Sequence, residues 1–113
     1  MTRRIERVNH LIRQQISEML HYQVKDPELG NFLTINEVIT SNDLRHAKVY
    51  VSSVNTNIDR KQALKHLNNA SGFLQREMIK QLHLRHIPEL DFRWDDSIER
   101  GAKIQDLIDS INQ

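Results

Sequence analysis

The stretch LTINEVITSNDLRHAKVYVSSV, residues 33–54, decides the fold class of this chain. Its two ends, residues 33–41 and residues 46–54, are rich in β-branched residues and poor in helix formers, which is typical of β-strands. Apolar residues occupy every other position in the second segment: Ala47, Val49 and Val51. The intervening SNDLR is a turn composition, so the stretch predicts an antiparallel β-hairpin with one buried face.

The first strand of this hairpin departs from strict alternation. Ile35 and Val38 are three residues apart, whereas side chains on one face of a strand are two apart. A β-bulge corrects such a mismatch, because it sets two residues of one strand against one residue of its partner. We therefore expect a bulge near Asn36-Glu37.

An amphipathic helix is predicted before the hairpin, over about residues 3–24. Its apolar residues recur at three- and four-residue steps: Ile5, Val8, Ile12, Ile16, Met19 and Leu20. The rest of its surface is polar, with Arg3, Arg7, His10 and Gln14 opposite the apolar stripe and Arg4 and Arg13 beside it. We expect the helix to stop at Asp26-Pro27, because a residue that precedes proline disfavours helical backbone angles.

A second long helix is predicted after the hairpin, over about residues 59–84. Its core-facing stripe is Leu64, Leu67, Ala70/Ser71, Leu74, Met78 and Leu82. Gly72 lies in the middle of this helix, where glycine costs about 1 kcal/mol relative to alanine. Two explanations stay open at this point: close packing of the helix on the sheet, or a kink that redirects its C-terminal half.

The segment ELDFRWD, residues 89–95, predicts a third strand, because Leu90, Phe92 and Trp94 alternate with charged residues. Phe73, Phe92 and Trp94 are expected in the core. Apolar residues at near-helical spacing then predict a short C-terminal helix, weakened by Gly101: Ile98, Ile104, Leu107, Ile108 and Ile111. Helices and three strands in this order predict an α+β fold, a two-layer sandwich.

Composition excludes several classes of protein. The 113 residues fit one domain, and no cysteine is present for a disulfide or a thiolate metal site. Only three glycines occur, far apart, so glycine-rich nucleotide-binding loops are absent. No apolar run is long enough for a membrane span, and the N-terminus lacks a signal-peptide pattern, so we expect a cytoplasmic protein.

The sequence gives only weak signals for catalysis or metal binding. His83-x-x-His86 lies among cationic neighbours and lacks a third nitrogen ligand, which argues against a metal site. Asp95-Asp96-Ser97 has the composition of a helix cap, and adjacent carboxylates point in different directions. We therefore expect no enzyme activity, no metal and no cofactor.

Charge is distributed in alternating segments. Residues 1–25 (five basic, two acidic) and 60–86 (six basic, one acidic) are positive, whereas residues 26–59 and 87–113 are negative. Two basic segments, both predicted as helices, favour an anionic partner if they share one face. Aromatic residues make up only 5% of the chain, which disfavours recognition by base stacking and favours recognition of the shape of a structured nucleic acid.

The runs RIERVNHLIRQQISEMLHYQVKDPELG, NDLRHAKVYVSSV, LNNASGFLQREM and LRHIPELDFRWDDSIERGAKI closely resemble bacterial ribosome-binding factor A. The resemblance covers the chain from Arg3 to about Leu107. It implies a type II K-homology-like fold with a kinked second helix, as a single RNA-binding domain over residues 3–107 followed by a short C-terminal end, 108–113. Ordinary K-homology domains carry a Gly-x-x-Gly loop, whereas this sequence has Ala70-Ser71-Gly72, which matches the family's Ala-x-Gly kink.

The same resemblance implies a non-catalytic ribosome assembly factor that binds the free small ribosomal subunit, assists late maturation of its ribosomal RNA and is associated with cold adaptation. Its partners would be that subunit and its RNA, with no membrane and no small-molecule substrate, and the protein would be a monomer. Charge and helix face then predict the RNA-binding residues: Arg3, Arg4, Arg7, Arg13, Arg45, Lys48, Arg76, Lys80 and Arg85.

Two other functions are alternatives to ribosome assembly. A protein-interaction adaptor without direct RNA contact would use an exposed apolar strip, for instance along Ile104, Leu107 and Ile111. A DNA-binding regulator is disfavoured, because the β-rich middle of the chain does not suit a helix-turn-helix.

Overall fold

In the described residues of a computed structural model, 2–22, 33–53, 59–84 and 87–112, three helices form a layer on one face of a three-stranded sheet, and a fourth helix follows the last strand. The elements follow the order α1 (Thr2–Tyr22), β1 (Leu33–Thr40), β2 (His46–Ser53), α2 (Arg60–Asn69), α3 (Ser71–Leu82), β3 (Glu89–Trp94) and α4 (Ser97–Ile111). The predicted α+β class and element order are confirmed, with the second long helix divided in two. The expected stop at Asp26-Pro27 lies outside the described residues.

The sheet has the order β1-β2-β3. β1 and β2 form the predicted antiparallel hairpin. β3 lies parallel to β2, because α2 and α3 carry the chain back to the end of the sheet at which β2 begins. The predicted bulge is present: Ile35 pairs with Val51 and Glu37 pairs with Tyr50, which leaves Asn36 as the extra residue.

The core lies between the sheet and the helices. The inward face of the sheet buries Val49 and Val51 of the central strand completely. The helices cover this face with the periodic apolar residues that the sequence indicated: Ile12, Ile16, Met19 and Leu20 from α1, Ala63 and Leu67 from α2, Leu74 and Met78 from α3. The opposite face of the sheet has no helix packed on it among the described residues, and we call it the open face.

The long second helix is interrupted at Ala70. The Ala70 N–H is shared between the His66 and Leu67 carbonyls, at 3.0 and 3.1 Å, which is a tightening common at helix ends. The Ser71 hydroxyl donates to the Asn68 carbonyl at 2.8 Å. Gly72 has no positive φ angle, so it follows the break as an ordinary helical residue.

Side chains from the helices satisfy backbone groups of both edge strands. On β3, Asn68 bonds the backbone of Phe92, and Gln75 Nε2 donates to the Pro88 carbonyl at 3.0 Å just before the strand. On β1, the Thr40 N–H donates to Asn9 Oδ1 at 3.0 Å, and Arg13 Nε donates to the Ile35 carbonyl at 3.3 Å. Such cover protects sheet edges from pairing with other chains.

Three expectations need correction. Phe73 is 41% exposed rather than buried, because the core side of α3 is set by Leu74 and Met78. Trp94 is half-buried at the margin of the core. The C-terminal helix is not short, since α4 has 15 residues and passes through Gly101, where a Cβ atom would meet nothing within 4 Å. α4 continues across residues 107 and 108, and the domain boundary expected there stays a prediction.

Candidate nucleic-acid interface

The outward side of α1 carries a row of positive side chains. Arg3, Arg7 and His10 line one shallow depression together with Glu6 and Leu11. The first turn of α1 has no acidic residue, although the N-terminus of a helix carries a partial positive charge. An anion bound at this end would therefore stabilise the helix, by about 0.3–1 kcal/mol for each favourable charge contact.

A second basic row lies on α3. Arg76 and Lys80 are exposed and lie two residues beyond Leu74 and Met78, which places them on the side of the helix away from the core. Lys80 Nζ is 3.7 Å from Glu77 Oε1 in an exposed ion pair. Since α1 and α3 contact each other, the two basic rows belong to the same helical layer.

Lys48 lies on the other side of the molecule. It projects from the open face, where its neighbours in register are Ile39 of β1 and Asp91 of β3. This face is mixed in charge, since Arg93 Nε is 3.0 Å from Asp91 Oδ2. The sheet therefore separates Lys48 from the basic rows of α1 and α3, and a single flat RNA surface cannot contact all the predicted residues.

Arg45 is held at the hairpin turn. Asp43 Oδ1 accepts from the Ser41 hydroxyl at 2.6 Å and from the Arg45 N–H at 3.0 Å. The Ser41 hydrogen bond, followed by the Arg45 N–H, holds the pKa of Asp43 below its ordinary value. The Asp43 carboxylate is therefore ionised and accepts both bonds at neutral pH, and the Arg45 side chain is exposed beside it.

Two arginines of α1 differ from Arg3 and Arg7. Arg13 is bonded to the Ile35 carbonyl of β1, so its guanidinium contributes to the sheet edge. Arg4 lines an apolar groove between α1 and the end of α3. Arg85 lies outside the described residues.

A basic stretch on α2 was not among the predicted contacts. Lys61 and Lys65 are exposed and line a shallow depression with His66 and Asn69. In the same helix, the Arg60 guanidinium lies 5.2 Å from the ring centre of Trp94. The run RKQALK at residues 60–65 carries this signal in the sequence. Its position on the same helical layer as α3 makes it a further candidate for phosphate contact.

A polar network joins the bulge to the start of α4. Asn36 Nδ2 donates to Ser52 Oγ at 3.0 Å and to Asp95 Oδ2 at 2.9 Å, and Asp95 Oδ1 accepts from the Ser97 N–H at 2.9 Å. The Asn36 bond is the largest cause that lowers the pKa of Asp95, followed by the bond from Ser97. Asp95 therefore links the bulge to the first N–H of α4, whereas Asp96, the N-cap residue of this helix, makes no side-chain capping bond.

No three His, Asp or Glu side chains come together in a metal-binding cluster within the described ranges, and His86 lies outside them. None of the helices in that part of the chain is both long enough and apolar enough to cross a membrane.

Comparison with known sequences identifies one family. The sequence profile described as Ribosome-binding factor A matches residues 4–108. A protein of that name from Dehalococcoides mccartyi is 42% identical over 113 residues, which is 100% of this chain and 96% of the relative. Another from Dictyoglomus thermophilum is 45% identical over 104 residues, 92% of this chain and 87% of the relative.

Solved structures show the same fold. The crystal structure of ribosome-binding factor A from Thermus thermophilus superimposes with a TM-score of 0.67 at 24% identity, covering 79% of this chain and 93% of that one. A solution structure of a Thermotoga maritima protein, described as a putative ribosome binding factor A, gives 0.57 at 29% identity and covers 81% and 83%. A homology model of the Thermus thermophilus protein, fitted into the cryo-EM map of its complex with the 30S subunit, gives a TM-score of 0.58 at 25% identity and covers 76% of this chain and 93% of that one.

Proposed function

Because this chain belongs to the ribosome-binding factor A family, we propose that it binds the small ribosomal subunit during assembly and assists late maturation of the subunit's ribosomal RNA. The observation that carries the proposal is the match of the family profile to residues 4–108, together with the likeness to a structure fitted into a 30S complex. The protein would work in the cytoplasm by binding alone, without a chemical step or a cofactor.

The helical layer is the surface that best fits ribosomal RNA. It carries the α1 row of Arg3 and Arg7 and the α3 row of Arg76 and Lys80, all exposed. Lysine and arginine contacts to phosphate provide affinity with little sequence information, which suits recognition of one RNA shape. The open face is less suitable, because its Arg93 is paired with Asp91 and its charges are mixed.

The experiment is a binding titration with purified small subunits. The variant Arg3→Glu/Arg7→Glu reverses two charges on the helical layer, and Lys48→Glu/Arg93→Glu makes the same charge change on the open face. We expect a large loss of affinity for the first variant and a small one for the folded form of the second. The melting temperature should change little for the first variant and fall for the second, because Lys48 and Arg93 are the cationic neighbours of Asp91. Equal losses, or a larger loss from the open face, would contradict the assignment of the interface to the helical layer.

Salt dependence adds a second readout. Each neutralised phosphate contributes about 0.7–0.9 to the slope of log affinity against log salt, so loss of two contacts should reduce the slope by about 1–2. Docking through apolar contacts alone would give little slope. That result would favour the adaptor function, for which the structure offers one specific feature: the apolar side chains of α4 are exposed.

A further inference from the structure

One aromatic ring lies exposed on the helical layer. Phe73 of α3 is 41% exposed, although the next residue, Leu74, is completely buried in the core. Among the large apolar side chains that are exposed in the described residues, Phe73 has the one aromatic ring, and the others are aliphatic. An aromatic ring differs from an aliphatic chain because its flat face stacks on other flat groups, such as a nucleobase. Phe73 therefore offers a contact that the other exposed apolar residues there cannot make.

A guanidinium group lies in the same turn of α3. Gly72 precedes Phe73 and has no side chain, and Arg76 Nη1 comes within 3.3 Å of the point that a Cβ atom of Gly72 would occupy. The Arg76 side chain therefore extends back toward the first turn of α3, which is the direction in which helical side chains lean. Phe73 and Arg76 are three residues apart, so they are neighbours on the helix surface. A flat ring and a planar cation thus share one exposed turn.

The ring belongs to a line of exposed residues that follows both helices. Its members recur at three- and four-residue steps, as residues on one side of a helix do. This outward line consists of Lys61, Lys65 and Asn69 on α2, and Phe73, Arg76 and Lys80 on α3. The buried residues of each helix lie on the opposite side, and both helices contact β3. The outward line is therefore the side of α2 and α3 that faces away from the sheet.

The outward line is positively charged. Four of its six residues are lysine or arginine, which bind phosphate groups. Residues 59–84 contain two acidic residues. Asp59 caps the start of α2, and Glu77 Oε1 lies 3.7 Å from Lys80 Nζ, so both carboxylates have partners. An RNA strand that follows this line would find phosphate-binding groups on both sides of the aromatic ring.

We propose that Phe73 stacks on one unpaired base of small-subunit ribosomal RNA, while Lys65 and Arg76 bind the phosphates on either side of that base. The proposal rests on the proposed function, because it takes the small subunit as the source of the RNA. It adds a second mode of recognition, since the α1 row of Arg3 and Arg7 binds phosphates, whereas stacking requires a base that has left its helix. Aromatic residues are few in this chain, but one exposed ring is sufficient for one base.

The first experiment compares three variants in a titration with purified small subunits. Phe73→Leu keeps an apolar side chain but removes the ring, and it should weaken binding by roughly tenfold, within the range for the loss of one stacked base. Phe73→Tyr keeps the ring and should bind like the wild type. Ile39→Ala removes a similarly exposed apolar side chain from the open face and should leave the affinity unchanged. The melting temperature of each variant shows that it is folded at the temperature of the titration.

A second titration distinguishes a base from other partners of the ring. A short oligoadenylate RNA offers bases and phosphates, and an abasic strand of the same length offers phosphates alone. We expect Phe73→Leu to weaken binding of the oligoadenylate and to leave binding of the abasic strand unchanged. Arg76→Ala should weaken binding of both strands, because it removes a contact to phosphate.

Failure of the stacking site can be told apart from failure of the proposed function. A wild-type protein that does not bind small subunits would overturn both. If the wild type binds and Phe73→Leu binds equally well, the stacking site alone is wrong. A loss of affinity for small subunits without a base-dependent loss on the oligonucleotides would also overturn it, because the ring would then contact a ribosomal protein.

Discussion

The side-chain amide of Asn68 pairs with both backbone polar groups of Phe92. The Phe92 N–H donates to Asn68 Oδ1 at 3.0 Å, and Asn68 Nδ2 donates to the Phe92 carbonyl at 3.4 Å. Asn68 belongs to α2 and Phe92 to the edge strand β3. The side-chain amide therefore bonds to the edge of β3 in the way that the backbone of a neighbouring strand would. The sheet edge is closed there without another strand.

Asn68→Ala should destabilise the domain by about 1–2 kcal/mol, because two hydrogen bonds are lost and water replaces them only in part. Asn69→Ala, at the adjacent exposed position, is the matched control and should cost little. Denaturant unfolding of both variants measures the difference. Equal stability of the two variants would show that the Asn68 amide contributes nothing at this edge.

Arg13→Ala should lower the melting temperature while leaving the affinity of the folded protein for small subunits nearly unchanged. The reason is that Arg13 Nε donates to the Ile35 carbonyl, so its guanidinium is engaged at the edge of β1. Gln14→Ala, at the neighbouring exposed position, is the control for both the melting temperature and the affinity. A strong loss of subunit binding at unchanged stability would instead support Arg13 as an RNA-binding residue, as charge and helix face predict.

Gly72→Ala should stabilise the protein by up to about 1 kcal/mol, the difference in helix propensity between the two residues. A Cβ atom at Gly72 would meet only Arg76 Nη1, at 3.3 Å, and the end of that side chain can move. Ser71→Ala, which removes the hydroxyl bond to the Asn68 carbonyl at the break, should instead be destabilising. Thermal unfolding and affinity for small subunits, measured on both variants, test whether Gly72 sets the bend between α2 and α3. A Gly72→Ala protein that is less stable and binds weakly would show that it does.

Asp95 should make stability depend on pH in the acid range. Its pKa is lowered in the folded state, first by the hydrogen bond from Asn36, so its contribution is present above the unfolded pKa of about 3.9 and disappears as the pH falls through the folded value. The melting temperature of Asp95→Asn should therefore lie below that of the wild type at pH 7, and the gap should narrow below about pH 4. Asp106→Asn on α4 controls for the loss of one negative charge. A gap that does not change with pH would contradict this account.

The predictable part of the fold is the part that depends on short-range pattern. Ile35 and Val38 alone revealed the bulge at Asn36, because periodicity within one strand is a local property. The exposure of Phe73 was missed because the expectation rested on residue type, whereas its position beside Leu74 on α3 turns it away from the core. The length of α4 was underestimated because Gly101 weakens a helix in isolation.

The candidate interface was predictable only in part. Helix periodicity correctly placed Arg3 and Arg7 away from the core, since one helix determines its own outward side. It could not show that Lys48 lies beyond the sheet from them, because that depends on which face of the hairpin the helices cover. The bond from Arg13 to Ile35 joins positions 22 residues apart and depends on tertiary packing.

The parallel pairing of β3 with β2 has a consequence for the order of folding. The partners His46 and Glu89 are separated by 43 positions, so β3 must close a long loop to join the hairpin. Asn68 and Phe92 are only 24 positions apart, and Asn68 lies on the same crossover that delivers the strand. Closing the shorter loop costs about 0.5 kcal/mol less chain entropy, by the logarithmic dependence on loop length. A unit of α2, α3 and β3 can therefore form first and then pack against the β1–β2 hairpin, which forms separately.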